Sequence, residues 1–191
     1  MGANPTGGEL GGLAEEMRAL AGDAERAFGG LTPAQLNWKP SAEQWSVGQC
    51  FEHLIKTNEP YARVIEGVVR GERRAGAWER LSPLSGFWGR MVLRAVAPES
   101  ARKIKARPGF RPSNISVDGR VVGRFADLQH RLADLMARTE DAGPEKVIIT
   151  SPVAGFVTYS LLDAYRIITS HGRRHFAQAR RVTEADGFPN S

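Results

Sequence analysis

The stretch from Ser160 to Val182 carries its apolar side chains at helical spacing: Leu161, Tyr165, Ile168, Gly172, His175, Ala179 and Val182. Steps of three and four residues make one stripe along one helix face, and such a stripe is stable only when another surface covers it. Three further stretches repeat the pattern. Glu9 to Phe28 carries Leu10, Leu13, Met17, Leu20, Ala24 and Phe28; Ser46 to Arg70 carries Val47, Phe51, Leu54, Asn58, Tyr61, Ile65 and Val69; Gly119 to Glu140 carries Val121, Phe125, Leu128, Leu132, Leu135 and Met136. No strand pattern of any length competes with them. Four amphipathic helices that must cover one another specify an all-α bundle, in which sites form between facing helices.

Start and stop signals frame these helices. Ser160 with Asp163, and Ser46 with Gln49, have the three-residue spacing of a capping box, while Gly29-Gly30 and Gly143-Pro144 end the first and third long helices. Residues 1–8, rich in Gly, are expected to be a disordered N-terminus, which leaves residues 9–186 as one helical domain. Between the first two helices, Thr32-Pro33 suits one short helical turn, and Trp38 and Trp45 are expected to plug the end of the core. Gly71 to Pro83 reads as loop, and Leu84 to Val96 as a short inserted helix. Arg102 to Ser113 is basic and broken by proline, the composition of an extended strap. Residues 84–113 together form an insertion between the second and third long helices. Val147 to Tyr159 reads as a well-packed loop or short extended piece leading into the last helix.

Two of the four histidines, His171 and His175, lie four apart on the last helix. Side chains at that spacing stack on one face with Cβ atoms about 5–6 Å apart, so both imidazoles can converge on one ion. The same spacing also suits a hydrogen-bonded pair or surface decoration. Zinc peptidase helices carry Glu directly after the first histidine; here that place is Gly172, which argues against a peptidase. His53 lies on the shoulder of the second helix beside Cys50 and Thr57, and His130 falls opposite the stripe of its own helix, exposed and idle.

Three pieces occur in order: Trp45-Ser46 opening a helix, His53-Leu54 two turns in, and His171-x-x-x-His175-x-x-Gln178 on the last helix. This set resembles the DinB-like superfamily, with its YfiT-type metal-dependent hydrolases, over nearly the whole chain. The resemblance implies a four-helix bundle in which His53, His171 and His175 bind a divalent metal, Zn or Ni before Fe or Mn. It also implies a choice of chemistry, since the family holds metal-dependent hydrolases as well as transferases and isomerases that use a low-molecular-weight thiol. Three imidazoles leave a coordination position open, the mark of a catalytic metal site, and zinc brings a bound water's pKa to about 7. The alternative is a non-catalytic ligand-binding or stress-response protein of the same fold. Gln178 and Gln49 are the candidates for orienting a ligand or water. Asp163 reads as a cap, and no carboxylate is placed as a general base. Cys50 reads as a small core residue.

Other classes fit less well. There is no run of eighteen apolar residues, so no membrane span is expected. Met1 to Gly8 lacks a basic region followed by an apolar one and is not read as a secretory signal; with a single cysteine, this points to a cytoplasmic protein. The net charge of +5 is modest, and the strap offers no stacking aromatic beyond Phe110, so nucleic acid is not an expected partner. A small-molecule substrate and a homodimer, with Phe87 and Trp88 in an exposed insertion, are the expected partnerships.

Overall fold

The computed structural model describes residues 5–82, 85–98, 106–113 and 115–189. Its long helices are α1 (Pro5–Phe28), α3 (Val47–Val69), α6 (Val121–Ala137) and α7 (Leu161–Thr183). Shorter ones are α2 (Pro33–Asn37), α4 (Ala77–Leu81) and α5 (Ser85–Val96). Helix α1 packs on α6 and α7, and α3 packs on the same two, which closes a four-helix bundle.

Local sequence explains most of the boundaries. The Ser46 hydroxyl accepts from Gln49 N at 3.1 Å while the Gln49 side chain accepts from Ser46 N at 3.2 Å, satisfying two amides that the first turn of α3 leaves free. Thr32 and Gln35 do the same for α2. At α7 only half of the expected box forms. Ser160 Oγ accepts from Asp163 N at 3.0 Å, but the Asp163 carboxylate turns to Arg166 at 2.8 Å. The aromatic core runs Phe176–Phe28–Phe51–Phe125, with ring centroids 5.4, 5.4 and 5.0 Å apart, and so joins all four long helices.

Two glycines let helices approach closely. A Cβ on Gly172 would sit 2.7 Å from Leu20 Cδ2, so its absence brings α1 against α7 beside the histidine pair. A Cβ on Gly89 would meet the Asp163 carboxylate at 2.5 Å, which is why α5 can lie on the start of α7.

Several boundaries differ from the sequence reading. Helix α1 starts at Pro5, ahead of the Glu9 start read from the apolar stripe. The segment read as loop from Gly71 contains α4, held by a tertiary contact: Glu79 accepts from Gly76 N at 2.9 Å and Thr150 N at 2.7 Å, and pairs with Arg73. Residues 147–159 take the short extended form, the second of the two readings given for them, and it is paired. β1 (Ile148–Thr150) and β2 (Thr158–Ser160) pair antiparallel with Ile149 opposite Tyr159, a ladder too short to leave an alternating pattern. Trp88 is half-buried against the core while Phe87 is 53% exposed. Leu84 and residues 102–105 of the basic strap lie outside the described residues; Pro108–Phe110 of the strap forms a 3₁₀ turn. No helix among the described residues is long and apolar enough to cross a membrane.

Candidate metal centre

Helices α3 and α7 pack side by side, and their shoulders bring together the three histidines that the resemblance singles out. His53 Nε2 lies 3.3 Å from His171 Nε2, and His175 Nε2 lies 3.1 Å from the same atom. The ring centroids are 4.6–5.1 Å apart. His53 and His175 are buried and His171 is half-buried. The fourth histidine, His130, is exposed on α6, as its position opposite the apolar stripe implies.

The outer nitrogens are held as firmly as the inner ones. His53 Nδ1 lies 2.6 Å from the carbonyl oxygen of Phe110, and His175 Nδ1 lies 2.9 Å from Gln178 Oε1. A carbonyl oxygen only accepts, so each Nδ1 donates and keeps the proton of a neutral ring. That turns the lone pairs of both Nε2 atoms inward, onto His171 Nε2. A proton there could answer one neighbour but not both. At least one inward nitrogen lone pair is therefore left without a donor, an arrangement that a cation relieves.

Burial keeps the rings neutral. Desolvation lowers the pKa of His53, outweighing the pull of the Phe110 carbonyl, and Lys56 lowers it further. Burial, together with His175, His53 and Arg174, takes His171 well below the ordinary range. His175 falls to about 3, again chiefly through burial and then through His53. Neutral imidazole is the form that coordinates metal, so the site is ready without losing a proton first. Nitrogen ligands at 2.0–2.1 Å from a tetrahedral ion stand about 3.3–3.4 Å apart, close to the two inner distances seen here. The donor set fits a divalent ion.

The two glutamines part company. Gln178 meets His175 directly, accepting from its Nδ1 at 2.9 Å. The Gln49 amide is engaged elsewhere: it accepts from Ser46 N and its Nε2 donates to Ser113 O at 2.7 Å, so it secures the helix start and the strap rather than a ring. Cys50 is fully buried in the core, and desolvation pushes its thiol up to about 12, which rules out a thiolate near neutral pH.

Two features of the site were not read from sequence. Trp45, taken as a plug for the core, stacks on His175 at 5.5 Å and 19° and tilts over His53 at 4.9 Å, so it walls the centre. Its place before the cap residue Ser46 was the available signal. The Phe110 carbonyl had none, because a main-chain oxygen on a strap leaves no trace in residue type.

Comparison with known proteins bears on the family of the chain. The uncharacterized protein YuaE of Bacillus subtilis (strain 168) is 25% identical over 156 residues, covering 81% of this chain and 87% of YuaE. No solved structure matches the chain significantly. A family model described as the DinB superfamily matches residues 16–179, a span that contains all three clustered histidines and Gln178. With the helical bundle and the imidazole cluster both in place, the chain belongs to the DinB superfamily.

Proposed function

We propose that this protein is a metal-dependent enzyme acting on a small electrophilic substrate, with a divalent ion, Zn or Ni before Fe or Mn, held by His53, His171 and His175. One observation carries the reading: inward lone pairs from rings whose outer nitrogens already donate elsewhere. A hydrogen-bonded histidine pair needs no third ring and leaves no such excess of acceptors. When bound, the ion supplies Lewis acidity toward water or a low-molecular-weight thiol. The chain's own residues do the rest. The Phe110 carbonyl and Gln178 hold two rings in the coordinating tautomer, and Trp45 screens the His175 face from solvent. The charged groups acting on the rings are the cations Lys56 and Arg174, which favours an anionic nucleophile or substrate at the centre. This supports hydrolysis and thiol transfer alike. Exposed Phe87 and Met91 on α5 support pairing of two copies, which sedimentation would reveal as a dimer.

The test begins with metal. Protein purified without chelator or a histidine tag should carry close to one equivalent of transition metal by elemental analysis, and His171→Ala should carry none. Ester, amide and thiol-transfer substrates are then screened, and turnover should vanish with His53→Ala. Stoichiometric metal without turnover on any of these would favour a ligand-binding role.

A further inference from the structure

The strap around residues 106–113 joins α3 through side chains that the proposed chemistry does not use. Glu52, the neighbour of His53, accepts two bonds from Ser113: the amide at 2.5 Å and the hydroxyl at 2.6 Å. Gln49 Nε2 donates to Ser113 O at 2.7 Å, and Lys56 Nζ donates to Arg111 O at 3.2 Å. On the other side of Phe110, Arg107 donates to Val153 O at 3.0 Å, tying the strap to the turn between β1 and β2. The carbonyl that meets His53 Nδ1 therefore lies between two anchors.

We infer that Glu52 and Ser113 are positioning residues of the metal centre, clamping the strap so that the Phe110 carbonyl fixes the tautomer and orientation of His53. Geometry favours this over a clamp that merely tethers a loop. Residues 49, 52, 53 and 56 of α3 lie within two turns and share one side of the helix, and each one meets the strap between Phe110 and Ser113. One strip of α3 thus supplies a candidate metal ligand and three restraints on the group that orients it. A main-chain carbonyl cannot be removed by substitution, so the side chains that hold it are the points of control. Loss of a partner that orients a ligating histidine typically weakens metal binding by about 10–100-fold.

The inference rests on the metal reading only for its affinity arm. In the metal-free full chain, ¹⁵N NMR of the imidazoles should show His53 protonated at Nδ1. In Ser113→Ala, which changes no charge, and in Glu52→Gln, that signal should shift toward a mixture of tautomers. Ser113→Thr, which keeps the hydroxyl, should restore it. Cobalt(II) titration followed by visible absorption should show affinity falling about tenfold or more in Ser113→Ala and Glu52→Gln and returning in Ser113→Thr. Thermal unfolding of each metal-free variant identifies any that fail to fold, and Ser113→Ala alone then decides. Wild-type tautomer and wild-type cobalt affinity in Ser113→Ala would overturn the clamp. Wild-type protein that binds no cobalt but shows the expected tautomer changes would sink the metal reading and leave the positioning role standing.

Discussion

Proton occupancy at single ring nitrogens decides what this site can do. Each clustered histidine has a folded pKa below the ordinary 6.5. As pH falls below that value, the unfolded chain takes up protons that the folded rings refuse, so unfolding becomes more favourable. For His175 the loss runs from about 6.5 down to about 3. Metal-free protein should therefore lose thermal stability steadily on acidification, and His175→Asn should flatten that slope. Melting curves followed by circular dichroism in chelator between pH 7 and 4 check this, and parallel slopes for the two proteins would contradict it. The histidine pair on α7 was legible from its i, i+4 spacing alone. The third histidine was legible only through resemblance, because nothing in the sequence around His53 marks it as a ligand.

At the scale of elements, the irregular third of the chain is held by side chains rather than by propensity. Helix α4 has five residues, too few to persist alone, and Glu79 ties it to β1. Glu79 is buried, and although burial works against its charge, the Gly76 and Thr150 amides and Arg73 keep its pKa below the usual carboxylate value. Glu79→Gln should destabilise the protein by about 1.5–3 kcal/mol, read as a lower denaturant midpoint at neutral pH. A loop reading of Gly71 to Pro83 was the natural one, since the residue that closes this element bonds across to a strand about seventy positions away. The contact of α1 with α7 offers a second test. Gly172→Ala asks only the end of Leu20 to move, and the gain in helix propensity of about 1 kcal/mol should leave stability nearly unchanged. Gly172→Leu should overpack the same contact by about 1–3 kcal/mol and weaken metal binding through the flanking His171. Paired melting and cobalt titrations would separate the two effects.

For the whole molecule, an ion bound only by the folded state adds to global stability by mass action. Free metal at one hundred times its dissociation constant contributes about 2.7 kcal/mol, or roughly 5–10 °C in Tm for a chain of this size. Zinc should raise the Tm of wild type by that much and leave His171→Ala unmoved; an equal rise in both would locate the binding elsewhere. The bundle itself was readable because helical periodicity is a local property: four stripes, two capping signals and the glycine stops imply helices whose apolar faces must meet. Hydrogen bonding local to each helix start explains why Ser46 and Gln49 paired as their spacing suggested. Convergence is not local. That His53 meets His171 and His175, that Trp45 lies over their rings and that the Phe110 carbonyl holds one of them depend on how α3, α7 and the strap pack. Sequence alone therefore determined the long helices and the fold class, while only tertiary packing could decide the site, because distances between residues from about fifty to more than a hundred positions apart are set by the closed core and not by any residue's neighbours.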